Sequence, residues 1–295
     1  MADVLWRHEN PQATPMWAFL QLVASKYKLP LHGYRDLYRW SVQDVAAFWA
    51  EVWDFVGIRA SVPYTSVLPA PSPATMPPSL PPMYPRPDFF AGARLNFAEN
   101  LLFPPPHLPA PSADAPALIS VTETADCPPR QTSWADLRDA VRRCAAALRA
   151  AGLTSSDVVA GLVANHEQAL VSMLAAAAIG AAWTALSPDT GTSATLDRYA
   201  QIAPRVLIAD DGALYNGKTW PAGDKLRDVM RGLKPLGLKL VIVVRVLANE
   251  NDRDLAPAGL AEIGVEAVEY ERFLSRCVCV VGALGEAIGQ LWLTR

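Results

Sequence analysis

The 295-residue chain lacks the marks of several protein classes. It has no basic excess: 26 lysines and arginines stand against 29 aspartates and glutamates, a net charge of −3. Binding to nucleic acid or an anionic membrane through charge is therefore disfavoured. Four cysteines, Cys127, Cys144, Cys277 and Cys279, are too few and too irregular for a disulfide framework. The spacing of the last two fits neither a zinc site nor a CxxC redox pair, so a reducing cytoplasm is the expected setting. No stretch reaches the roughly 18 uninterrupted apolar residues of a membrane span. The N-terminus, MADVLWRHENPQATPMW, has no basic region followed by an apolar core, so no secretory leader is expected. There is also no G-x-x-x-x-G-K-[ST] motif and no Ser/Thr/Gly-rich run to cradle phosphates. The nearest candidate, GALGEAIG at 282–289, contains neither lysine nor hydroxyl.

What the chain does have is apolar residue, 51% of the total, enough for one large domain or two ordinary ones. Its most organised stretch runs from Val158 to Gly191. An apolar run (Val158 to Val163) passes through a polar turn at Asn165 and His166 into an Ala-rich helical segment, Glu167 to Ile179, which Gly180 closes. A second apolar run, Ala181 to Leu186, stops at Ser187-Pro188-Asp189. Strand, helix, strand is a βαβ crossover, and the alanines at 175 to 178 allow the helix to lie close on a sheet.

Residues 14 to 60 are aromatic-rich with helical period. Met16, Phe19, Leu20 and Val23 share one face. In WSVQDVAAFWAEVWDFVGI, Ser41 is the expected N-cap, and Val45, Phe48, Trp49, Val52, Trp53 and Val56 are the expected buried stripe. More than half of the 26 prolines fall between Val62 and Pro116, where the chain must lie extended and wrap or link. Within that stretch FFAGARLNFAENLL predicts a short helix capped by Asn96, with Phe97, Asn100 and Leu101 on one face and a backbone bend or close approach at Gly92. ALISV (Ala117 to Val121) reads as a buried strand. It leads to a helix capped by Ser133, with Leu137, Val141, Cys144, Ala145 and Leu148 on its apolar face and Gly152 as its stop; Arg142, Arg143 and Arg149 are the expected solvated face.

Beyond the crossover, a helix (Ser193 to Ile202) precedes a buried strand, Arg205 to Ala209. That puts Asp210, Asp211 and Gly212 at its carboxyl end, where open α/β sheets hold ligands. Asp210 and Asp211 are not read as a metal pair, because adjacent strand residues point to opposite faces. In Tyr215-Asn216-Gly217-Lys218, Gly217 permits close backbone approach and Lys218 offers a point charge for phosphate; an ordinary surface turn has the same composition. An amphipathic helix (Lys225 to Leu233) and a long central strand (Leu238 to Leu247) follow. His166 and Cys144 are not read as nucleophile or base, since His166 has no identifiable partner and Cys144 sits on a buried helix face.

Several of these segments resemble the acyl-CoA synthetase (adenylate-forming) superfamily in the form carried by acetoacetyl-CoA synthetases. NHEQALVSMLAAAAIGAAWTALSPDTG matches N-x-x-E-x-x-x-x-M-L-A-x-x-x-x-G-A-x-W-x-x-x-S-P-D-F-G, with Thr190 in place of Phe. FFAGARLNFAENLL matches W-F-x-G-a-x-L-N-x-A-E-N-L-L, with Phe89 in place of Trp, and L-x-x-W-S-x-x-x-x-x-F-W matches the N-terminal helical segment of the acetyl- and acetoacetyl-CoA branches. The resemblance implies a partial adenylate-forming N-terminal domain of class α/β: βαβ units in a mainly parallel sheet, preceded by a helical aromatic-rich segment. It divides the chain into a helical and Pro-rich wrapping segment (1–116), a first α/β subdomain (117–274) and a divergent or mis-spliced tail (275–295). It implies an acid-thiol ligase activity on acetoacetate, with CoA contacted at Tyr215, Asn216, Gly217 and Lys218 and more weakly near Gly92.

ATP and Mg belong to residues of a full-length relative, so the chain alone is expected to lack catalysis. The expected partners are small molecules (acetoacetate, CoA) and a full-length synthetase, not nucleic acid or a membrane. Two other readings stay open: a CoA- or partner-binding module, and a fragment without independent function.

Overall fold

The computed structural model describes residues 5–69, 84, 86–105, 110–123, 128–247 and 262–276. Much of the Pro-rich stretch, Cys127, Cys277, Cys279, the 282–289 run and nearly all of the expected divergent tail lie outside these residues. The chain divides into two compact units, residues 1–95 with 104–108 and residues 96–103 with 109–295.

The first unit is built on three helices, α1 (Pro15–Tyr27), α2 (Tyr34–Gln43) and α3 (Val45–Val56). Thr14 caps α1 by accepting from the Trp17 N–H at 3.2 Å, and Pro15 occupies the first position, where a missing N–H does no harm. Phe19, Leu20, Val23, Leu37 and Trp40 form the core, with Phe48, Val52 and Phe55 packed against it. Two expectations fail here. The cap of α3 is Asp44, which accepts from the Ala47 N–H at 3.1 Å, whereas Ser41 lies inside α2 and bonds back to the Tyr38 carbonyl. A carboxylate one residue before the helix reaches its open N–H groups; a serine three residues earlier does not. The apolar stripe of α3 is only half-buried, with Trp49 39% and Val56 41% exposed. The buried side chain on α3 is Glu51, which accepts from Lys26 Nζ at 2.6 Å and the Tyr27 hydroxyl at 2.8 Å. Burial and that bond push the Tyr27 phenol up to about 12. Met16 is likewise exposed.

The second unit contains α4 (Phe97–Leu102), β1 (Pro116–Ser120), β2 (Arg130–Ser133), α5 (Trp134–Ala150), β3 (Val158–Leu162), α6 (Glu167–Ala178), β4 (Ala182–Leu186), α7 (Thr192–Ala200), β5 (Val206–Asp210), β6 (Gly212–Tyr215), β7 (Lys218–Pro221), α8 (Gly223–Leu233), β8 (Leu240–Val244), β9 (Glu266–Glu269) and α9 (Tyr270–Ser275). Five strands form one parallel sheet in the order β4-β3-β5-β8-β9. Alternation along the strands separates two cores. Val159, Val206, Ile208, Leu240 and Ile242 face α4, α5, α6 and α9, while Ala160, Leu207, Ala209, Val241 and Val243 face α7 and α8. The expected βαβ is present, with α6 lying close through fully buried Ala175 and Ala176 and Gly180 at φ +80° beyond its end.

Asn96 caps α4 as expected, and its amide also donates to the Ala177 and Ala178 carbonyls at the open end of α6. The buried face of α4 is Ala98 and Leu102; Phe97 and Leu101, expected on one face, are exposed. ALISV is not a buried strand of the main sheet. β1 pairs antiparallel with β2 in a separate two-stranded sheet and leaves Ile119 62% exposed. Of the expected solvated arginines, Arg142 and Arg143 both pair with Asp139, while Arg149 is drawn into a partly buried position that lowers its pKa by desolvation.

The cap assignment is testable by urea unfolding. Asp44→Ala should lower stability by about 1 kcal/mol, whereas Ser41→Ala should change it by less than about 0.5 kcal/mol. The reverse order would restore Ser41 as the cap.

Candidate functional site

The first two strands of the sheet are inverted relative to chain order, so the crossovers diverge between β3 and β5. In an open parallel sheet this point leaves a crevice outside the carboxyl ends of the strands. Two loops meet there: Ala164 to His166 after β3, and Asp210 to Gly212 after β5.

Asp210 joins them. Its side chain is fully buried, with one oxygen accepting from the Ala164 N–H at 2.8 Å and the other 2.9 Å from His166 Nε2. His166 Nδ1 accepts from the Ala169 N–H at 3.1 Å, capping α6. With Nδ1 occupied as an acceptor, the ring is held as the Nε2–H tautomer that donates to Asp210. No partner for His166 stands near it in the sequence. Its partner lies 44 residues away, and the available signal was a carboxylate ending an otherwise apolar strand. Asp211 turns the other way: one oxygen accepts from the Val246 and Leu247 N–H groups at 2.8 and 3.0 Å, and Arg245 Nε lies 3.6 Å from the other. The two carboxylates thus hold different loops.

Beside this junction is an open cleft of about 550 Å³, lined by Leu118, Val121, His166, Met173, Trp183 and Ala185, among others. Trp183 lies over Gly161, where an added Cβ would come 2.8 Å from the indole ring. The buried Tyr199 hydroxyl donates to the Gly161 carbonyl, and burial pushes this phenol up to about 12. The Ser187 to Gly191 loop after β4 is held by Lys225, whose ammonium donates to the Pro188 and Thr190 carbonyls. Burial lowers the pKa of that ammonium, against the pull of Asp189. Sequence reasoning missed Lys225, which is an ordinary surface residue by its position in an amphipathic helix.

Tyr215, Asn216, Gly217 and Lys218 come together as the turn of the β6–β7 hairpin. Asn216 and Gly217 both have positive φ, 52° and 68°, as a tight two-residue hairpin turn requires. The Gly217 N–H donates to the Glu123 carboxylate at 3.0 Å, two residues beyond the cleft wall at Val121. Register places Tyr215 opposite Lys218 and Ala213 opposite Trp220, so Tyr215, Lys218 and Trp220 share a face. Tyr215 is 70% and Trp220 56% exposed, and the Lys218 ammonium has no partner among the described residues. Gly92 belongs to the first unit, in a turn at φ +78° with Thr65 as its nearest neighbour.

Comparison with known proteins agrees with this architecture. Residues 109–262 match the model of the AMP-binding enzyme family, more than half of the chain, and residues 34–101 match the acetyl-coenzyme A synthetase N-terminus. The chain belongs to the AMP-binding enzyme family. It is 44% identical over 277 residues to a malonamoyl-CoA synthetase of Penicillium aethiopicum, covering 93% of this chain and 36% of that protein. It is 36% identical over 254 residues to an acetoacetyl-CoA synthetase of Macaca fascicularis, covering 86% and 35%. Among solved structures it resembles the acetoacetyl-CoA synthetase from Streptomyces lividans with a TM-score of 0.74 and 33% identity, over 91% of this chain and 37% of that one. The resemblance read from the motifs is thus met in both sequence and structure. The fold is that of the N-terminal part of an adenylate-forming enzyme, and the chain spans about a third of the length of the relatives it matches. Among the described residues no helix is long and apolar enough to cross a membrane.

Gly161→Ala should drive the indole of Trp183 into the cleft. The expected result is a changed near-UV circular dichroism spectrum and a stability loss of about 1–3 kcal/mol. An unaltered spectrum would show that the ring does not rest on the glycine.

Proposed function

We propose that this chain supplies the N-terminal part of an acid-thiol ligase acting on a short carboxylic acid with a second carbonyl β to the carboxylate, acetoacetate being the leading candidate. The observation that carries this reading is the likeness to an acetoacetyl-CoA synthetase over nine-tenths of the chain. The malonamoyl-CoA synthetase likeness fits the same substrate class, since malonamate and acetoacetate differ by an amide NH₂ in place of a methyl group. ATP and acid would give acyl-adenylate and pyrophosphate, and CoA would then displace AMP.

This chain's share of that reaction is the nucleotide end of the CoA site. Lys218 offers a point charge to phosphate, and the exposed rings of Tyr215 and Trp220 offer stacking surfaces on the same hairpin face. CoA itself supplies the thiol that accepts the acyl group. Gly92 is retained as a weaker candidate contact. ATP does not fit this chain: no Ser/Thr/Gly loop occurs in its sequence, so no step through ATP or Mg is derived. Adenylation is assigned to the part of a full-length synthetase that carries such a loop, with residues 1–116 as its helical and Pro-rich wrapping segment, 117–274 as its first α/β subdomain and 275–295 as a divergent tail.

Calorimetric titration of the folded chain with CoA tests this reading. Binding is expected, with Lys218→Ala weakening it by about tenfold, the worth of one charge-assisted contact. Pyrophosphate release with ATP, Mg and acetoacetate should be absent. Binding insensitive to Lys218 and Trp220 would remove the hairpin from the site, and acid-dependent pyrophosphate release would overturn the reading that residues 1–295 hold no ATP site.

A further inference from the structure

An anion of the chain itself stands at the turn of the β6–β7 hairpin. Glu123, which follows β1, accepts from the Gly217 N–H at 3.0 Å across 94 residues of sequence. Among the described residues this is the carboxylate's only polar contact, and it forms no ion pair, although Lys218 is the residue next to Gly217. Both partners of the bond are exposed. Water therefore competes for each of them, and the bond is weak.

The turn is shaped to present that N–H. Asn216 and Gly217, at φ 52° and 68°, stand outside the ladder that pairs Tyr215 with Lys218, and a Cβ added at Gly217 would meet open space. A carboxylate and a phosphate make the same demand on such a place: both are anionic acceptors, satisfied by a backbone N–H with a cation alongside. Glu123 uses the N–H and leaves the cation. A phosphate, with more charge and more oxygens, can take the Gly217 N–H and the Lys218 ammonium together. We propose that Glu123 occupies the place of a CoA phosphate at the hairpin turn and is displaced when CoA binds, so that this carboxylate sets the affinity of the site. Glu123 has this role only if the hairpin takes CoA, as proposed above. In the exchange the carboxylate gives up one hydrogen bond and returns to water, and the phosphate gains the same donor. A plain brace, holding the hairpin in its binding position, would act with the opposite sign: its removal would weaken CoA binding.

Calorimetric titration with CoA, the parent chain against Glu123→Gln, decides the sign. The amide keeps the size and an acceptor oxygen of the carboxylate without its charge. CoA should bind the variant about fivefold tighter at low salt, and the gain should shrink as salt is raised. Pantetheine, which carries no phosphate, should show no difference between the two chains. Equal or weaker CoA binding by the variant would overturn the proposal, as would a gain for pantetheine that matches the gain for CoA. Lys218→Ala separates this outcome from failure of the site itself. CoA binding that depends on Lys218 but gains nothing from Glu123→Gln removes only the role of Glu123, whereas binding that is absent or indifferent to Lys218 removes the hairpin site and this role with it.

Discussion

The α/β unit depends on one buried carboxylate at the point where the sheet changes direction. Asp210 ends β5 and spends both oxygens on the loop that follows β3: one on the Ala164 backbone, one on His166, which in turn caps α6. Strand ends, crossover and helix start are thereby fixed relative to one another. A carboxylate without these partners would be costly in such a place, because a buried charge is tolerated only when its lone pairs are occupied. With them, the same charge is a positional constraint, and the cleft wall and the base of the hairpin inherit their geometry from it. Asp211 performs the same task for the neighbouring loop, accepting the amides of Val246 and Leu247. Two adjacent acidic residues thus set two loops on opposite sides of one strand end.

Most of this fold was legible in the sequence because its signals are local. The crossover from Val158 to Leu186, the Ser133 cap, the Asn96 cap and the positive-φ turn at Asn216 and Gly217 each depend on residues within a few positions of one another. What escaped the reading depends on distance. Asp210 and His166 are far apart in sequence, Lys225 reaches carbonyls 35 and 37 residues away, and Trp220 joins the hairpin face only through register. The Ser41 assignment failed because two competing caps stood three residues apart and the chain used the carboxylate nearer the helix. The expected burial of Ile119 failed for another reason: apolar pattern predicts a strand, and whether that strand is covered is a property of the whole assembly.

Beyond the carboxyl end of β5 lies a hairpin whose Lys218 ammonium has no partner among the described residues and stands beside the exposed rings of Tyr215 and Trp220. The sequence offers nothing suited to the triphosphate of ATP. The chain spans about a third of the length of the relatives it matches.

The central claim is that Asp210 organises the switch point, and amide hydrogen exchange on Asp210→Asn tests it most directly. Asparagine keeps one acceptor oxygen where aspartate uses two, so it cannot serve both Ala164 and His166. The account predicts that the amides of Ala164 and Ala169 lose protection together, while those of Val246 and Leu247, held by Asp211, keep theirs. Unchanged protection at Ala164 and Ala169 in the folded variant would contradict it.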